Sequence, residues 1–175
     1  MPLFAAADAD LETIAALVNR AYRGTEGWTH EGEHLGGPRT EADTLRRDLT
    51  AAPEARVMTL RDSPDGEILG VVWLEPATPP TWYLGMLAVR PDIQDRQLGR
   101  ALLTAAEDLV AQRGAVRVRM TVLNVRDMLI AWYERRGYRR TGEIQPFPYA
   151  DGHFGVPLRD DLGFVVLEKV LAQAT

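Results

Sequence analysis

The chain is 175 residues long, 46% apolar and 26% charged, with a net charge of −5 and no cysteine. That length suits one domain, 1–175, with a full core, and is too short for two. The acidic balance, without any long Lys/Arg run, speaks against a nucleic-acid partner, and the lack of cysteine removes disulfides, thiol nucleophiles and thiolate metal ligands. No stretch approaches membrane-spanning length, and the acidic start MPLFAAADADLE is not a signal peptide. The expectation is a cytoplasmic protein with no membrane partner.

Leu3–Ala6 predicts a short edge strand. Asp8 or Asp10 is expected to cap a helix with Leu11, Ile14, Ala15, Leu17 and Val18 as its buried stripe. Glycines 24, 27, 32, 36 and 37 then break the pattern, and Tyr22–Pro38 reads as a long loop. Within it, His30-Glu31-Gly32-Glu33-His34 matches the zinc-protease pattern H-E-x-x-H letter for letter. That chemistry needs both imidazoles on one helical face. The surrounding glycines and Pro38 oppose a helix, so no metal is expected. Thr40 opens a helix over Glu41–Leu49. Ala55–Leu60 and Glu67–Leu74 are strands, joined through the turn Ser63-Pro64-Asp65-Gly66.

Trp82–Val89 is a buried strand, ended by Pro91. A polar turn, Asp92–Gln97, leads to a helix with Leu98, Leu102, Ala105, Ala106 and Leu109 at helical spacing, closed by Gly114. A strand feeding a helix in this way aims unpaired N–H groups at one point, which suits a phosphate. The turn carries neither the Gly-Lys-Ser/Thr of a Walker loop nor three spaced glycines. Val116–Val122 alternates as a half-buried strand. A helix follows over Asp127–Arg135, closed by Gly137. Strands at Tyr138–Ile144 and Phe164–Val170 complete the chain. The order β-α-α-β-β-β-α-β-α-β-β indicates an α+β layer fold.

Leu87-Ala88-Val89-Arg90-Pro91, followed by Gln94 to Ala101, resembles motif A of the GCN5-related N-acetyltransferases (GNAT). Gln94 and Gly99 match that pattern, while Gln97 stands where its first glycine is usual. Trp132-Tyr133-Glu134-Arg135-Arg136-Gly137-Tyr138 is similar to the family's motif B. The joint resemblance covers Trp82 to Glu143. It implies a mixed, mostly antiparallel central sheet with helices on both faces. It also implies acetyl-coenzyme A as acyl donor and no metal. The implied donor-binding residues are Leu87, Ala88, Val89, Gln94, Asp95, Arg96, Gln97, Leu98, Gly99, Arg100 and Ala101, with Tyr133. The family commonly has an Asn seven residues before the motif B tyrosine. Here that place holds Arg126, with Asn124 two residues earlier as the second candidate.

As a residue alone, Tyr133 reads as a core aromatic. The resemblance instead places its phenol beside the thioester sulfur, where proton donation to the leaving thiolate is worth ~10²–10⁴ in rate. It also implies a backbone N–H near Leu87 polarising the thioester carbonyl. Family members often carry a glutamate on this strand near Gly85 and Met86, and here there is none. Glu31 or His30 of the long loop are the substitute bases.

The long loop reads either as a solvated surface loop or as one wall of an acceptor site, with Trp28 and Glu31 as contacts. Its glutamates favour an ammonium, whereas Arg23 and Arg39 equally suit a carboxylate. The tail segment Phe147 to Gly155 is the expected opposite wall. The reaction expected is direct attack by a small-molecule amine in a ternary complex. Two rivals are acetylation of a protein N-terminus or lysine, marked by an open acidic groove, and a coenzyme A sensor without transfer. A homodimer is compatible with all three.

Overall fold

The computed structural model describes residues 1–26 and 29–172, with residues 94–96 described by their backbone alone. In chain order the elements are β1 (Leu3–Ala5), α1 (Leu11–Arg23), β2 (Leu35–Gly36), α2 (Ala42–Ala51), β3 (Arg56–Leu60), β4 (Gly70–Pro76) and β5 (Thr81–Val89). Then follow α3 (Leu98–Gln112), β6 (Arg117–Leu123), α4 (Asp127–Glu134), β7 (Arg139–Pro146), β8 (Val156–Pro157) and β9 (Gly163–Val170). Seven strands make one sheet in the order β1-β3-β4-β5-β6-β9-β7. Neighbours are antiparallel except β5 and β6, which run parallel because α3 forms the crossover between them. The fold is therefore α+β, with a mixed, mostly antiparallel sheet. Among the described residues no helix is long and apolar enough to cross a membrane.

Strand alternation sends side chains to two faces, and each face has its own helix pair. Leu60, Val72, Leu74, Met120 and Val122 pack under Leu102, Ala106 and Val110 of α3 and Ile130 of α4. On the other face Val57 and Val71 meet Ile14 and Val18 of α1 and Leu45 of α2. In the centre of the sheet the period breaks on β5. Leu84 belongs to the first face, yet Met86 and Ala88 belong to the second. The cause is a β-bulge. Val71 pairs with Ala88 but Trp73 pairs with Gly85, so β5 spends an extra residue there. Met86 sits at φ +51°, which turns the strand and flips every side chain beyond it.

Three details differ from expectation. Neither Asp8 nor Asp10 caps α1 with its side chain. Asp8 pairs with Arg46, and Asp10 pairs with Arg61 and accepts the Ala7 N–H, because these guanidiniums are better partners than a helix end. Thr40 does not cap α2, whose N-cap is Glu41. Instead Asn19 of α1 holds that entry, accepting the N–H groups of Arg39 at 2.7 Å and Thr40 at 3.1 Å. The third difference is a two-stranded ribbon within the predicted loops, formed by β2 and β8. The sequence signal there was too short to read, since two residues carry no period.

Gly114 and Gly137 do close their helices at positive φ, +89° and +93°. Gly137→Ala forces a Cβ into the left-handed region and should lower stability by about 1–2 kcal/mol. The midpoint of urea unfolding measures it.

Candidate active site

The parallel pair β5–β6 is joined only along Thr81–Tyr83 and Arg117–Arg119. Beyond that the strands part, and residues 84–87 and 120–123 face each other across a cavity. The bulge at Met86 is what lets β5 turn away while staying paired to β4. The opening has two chambers. One, of about 420 Å³, lies between β5 and the helices α3 and α4. The other, of about 60 Å³, lies between the parted strands and the two loops. Tyr22, Leu87, Arg126, Leu129 and Tyr133 line both, so the chambers meet there.

The first chamber is built to hold negative charge. Its floor includes Leu87, Ala88 and Val89, and one end is the start of α3. Gln97, the N-cap, makes no side-chain cap, and the first turn holds no acidic residue. The first-turn N–H groups and the helix dipole thus face the chamber without an internal anion. Gln97 has φ +57°, the left-handed value for which glycine is usual. A Cβ at Gly99 would approach only the Trp132 ring, at 3.7 Å, so its absence widens the chamber there. Arg100, Arg135 and Arg136 complete this end. The Arg136 guanidinium lies 3.6 Å from the centroid of Trp132. Burial, then repulsion from Arg100 and Arg135, lowers its pKa, and its buried Nε has no partner. Among the described residues none of the three has a carboxylate partner. Such a cluster, at a helix N-terminus, fits the phosphates of a coenzyme A-type donor.

At the junction stands Tyr133. It is 5% exposed and held edge-on by Trp132 and Tyr138, at 5.1 and 5.6 Å between centroids. Burial raises its pKa above the ordinary 10.0, so the phenol keeps its proton throughout the neutral range. Among the described residues its hydroxyl makes no hydrogen bond, leaving the proton available. Nearby, the Tyr22 hydroxyl donates to the Leu87 carbonyl at 3.2 Å, tying α1 to the bulge.

The second chamber is roofed by both predicted walls. The β2–β8 ribbon joins them, and Phe154 and Phe164 line the interior. Gly155, at φ +104°, has Gly36 O and Arg23 where a Cβ would lie, so the loops close only over a glycine. Glu31 sits at the centre, 7% exposed. One carboxylate oxygen accepts from Arg23, and the other accepts from Arg126 at 3.3 Å. Arg23 also donates to Phe154 O, and Arg126 donates to Thr29 O at 3.4 Å. Each Glu31 oxygen is therefore engaged by a cation, which suits a pin for the loop better than a proton acceptor.

Of the sequence-predicted donor residues, Leu87, Ala88, Val89, Gln97, Gly99, Arg100, Arg126 and Tyr133 line the first chamber. Leu98 points into the core and Ala101 is exposed on α3. Gln94, Asp95 and Arg96 fall in a 3-10 turn, their side chains outside the described residues. Trp28 also lies outside the described residues. Asn124 is turned elsewhere, accepting from Gly163 N and donating to Asp161 O. His30 to His34 form a turn, closed by His34 N on Glu31 O, and not a helical face. Sequence reasoning missed Trp132, Arg135 and Arg136 as chamber residues, and Tyr22 at the junction. The spacing 126, 129, 133, 136 marks one helical face and was the available signal.

The model of the acetyltransferase (GNAT) family matches residues 12–138. A mycothiol acetyltransferase from Beutenbergia cavernae is 35% identical over 130 residues, which are 68% of this chain and 44% of that protein. The chain thus spans less than half of that relative. The ribosomal-protein-S18-alanine N-acetyltransferase from Escherichia coli superposes with a TM-score of 0.70 at 18% identity, over 99% of this chain and 95% of that one. An IAA acetyltransferase from Bacillus cereus superposes with a TM-score of 0.65 at 18% identity, over 97% and 98%. At such identities the likeness is one of fold.

The Glu31 network carries a stability prediction. The paired side chains are all 9% exposed or less. Glu31→Gln leaves two buried guanidiniums without a counter-charge and should cost about 3–5 kcal/mol in denaturant unfolding.

Proposed function

The chain belongs to the GNAT acetyltransferase family, and from that premise we propose that it is an acetyl-coenzyme A-dependent N-acetyltransferase acting on a small-molecule amine. The observation that carries this reading is the meeting of two chambers at Tyr133, a buried phenol held protonated and facing both. When bound, acetyl-coenzyme A supplies an acetyl group already activated as a thioester. The residues of this chain do the rest. The first turn of α3, with Arg100, Arg135 and Arg136, holds the phosphates. The parted edges of β5 and β6 hold the narrow chain leading inward, excluding water from the junction. Backbone near Leu87 orients the acyl carbonyl. As the C–N bond forms and the C–S bond breaks, Tyr133 donates its proton to the departing sulfur and regains one from the acetylated nitrogen.

The amine arrives through the second chamber. Glu31 is the one carboxylate among its described lining residues, and both its oxygens are taken. With no free carboxylate there, the ammonium gives its proton to solvent and attacks as the neutral amine, the form that the chamber's net positive charge favours. Proximity supplies much of the remaining barrier reduction. The chamber is small, roofed and cationic, which supports a small molecule over a protein chain needing an open acidic groove. It also gives Glu31 the role of a positioning residue.

Release of free thiol from acetyl-coenzyme A with a panel of amines tests the proposal. Amine-dependent release is expected, and binding without release supports a sensor instead. Tyr133→Phe should lower kcat about a hundredfold or more while leaving coenzyme A affinity nearly unchanged. Because burial raises the Tyr133 pKa, the parent's pH profile should show no loss from phenol ionisation below pH 10.0. Gly99→Glu places a carboxylate in the phosphate end and should weaken coenzyme A binding in calorimetry by about tenfold or more.

A further inference from the structure

We propose that the acceptor amine also bears a carboxylate, as an α-amino acid does, and that Arg39 is the residue that binds it. This rests on the transferase reading above and narrows its substrate. Three glutamates near the long loop suggested a site for a cation, but the folded charges reverse that sign. Glu26 pairs with Arg20 at 2.9 Å, Glu33 is exposed, and neither lines the second chamber. Glu31 is shared between Arg23 and Arg126. Two lining guanidiniums, Arg39 and Arg126, against one carboxylate leave the chamber net positive, and Arg39 is the one with no carboxylate partner among the described residues.

Arg39 is prepared for a ligand. Its backbone N–H is fixed by Asn19 at 2.7 Å. Its guanidinium lies 5.5 Å from the Tyr22 centroid and 5.3 Å from that of Phe154. These contacts restrict the side chain's freedom while satisfying none of its N–H donors. A half-buried guanidinium without a counter-ion bears a desolvation cost that a bound carboxylate would offset. The planar fork accepts a carboxylate through two parallel hydrogen bonds, and the chamber, about 60 Å³, suits a compact partner. Tyr133 and Arg39 line the same chamber, so one short molecule would present its amine at the junction and its carboxylate at Arg39.

The test titrates the coenzyme A-loaded protein with free α-amino acids and with their C-terminal amides, and follows thiol release with the same compounds. At least one free acid should bind roughly tenfold to a hundredfold more tightly than its amide. Arg39→Gln should abolish that preference, and Arg39→Lys should keep part of it, having the charge without the fork. If Arg39→Gln does not fold, the parental acid-to-amide ratio and Arg39→Lys decide. Preferential binding without thiol release would sink the transferase reading and leave this one standing. Equal binding of acid and amide, binding of neither, or a preference that survives in Arg39→Gln overturns it.

Discussion

The site exists because two parallel strands stop pairing. A sheet normally satisfies its backbone groups along its whole length, and β5 and β6 abandon that after three residue pairs. The bulge at Met86 makes the departure tolerable. It keeps β5 paired to β4, turns its far half away from β6, and changes which face each side chain takes. Leu87 is thereby placed at the junction, with its carbonyl held by Tyr22. The proposed site is arranged around that gap, with α3 and α4 on one side and the ribbon-joined loops on the other.

Charge divides the gap into two ends, to which the proposed function gives different tasks. The donor end gathers three arginines at an uncapped helix start, with no carboxylate among the described residues to neutralise them. Burial, then repulsion from Arg100 and Arg135, lowers the Arg136 pKa, a cost that bound phosphates would offset. The acceptor end instead contains its own anion. Glu31 fastens the loop to α1 through Arg23 and to the start of α4 through Arg126. One buried carboxylate thus fixes the shape of the acceptor chamber while leaving it net positive.

Much of the fold was legible in the sequence, because period and punctuation are local. The strand, turn and helix from Thr81 to Gln112, and the stops at Gly114 and Gly137, follow from alternation, helical spacing and the need for positive φ. The residues proposed to hold the donor come from the same stretch and its family resemblance. What escaped is what depends on distant partners. The ribbon of Leu35–Gly36 with Val156–Pro157 joins residues 120 and 122 positions apart, and two-residue strands leave no pattern. Glu31 looked like a free acid in a glycine-rich loop, and only folding brings Arg126 to it across 95 residues. The α1 caps failed for a similar reason, since Arg46 and Arg61 arrive from elsewhere to claim Asp8 and Asp10.

The central claim is that the gap between β5 and β6 carries the donor, with its sulfur at Tyr133. A crystal structure of the protein with coenzyme A tests that most directly. The account predicts phosphates at the first turn of α3 beside Arg100 and Arg136. It predicts the thiol within ~3–4 Å of the Tyr133 hydroxyl, as proton transfer requires. A thiol lying outside the gap, or phosphates bound away from the start of α3, would contradict it.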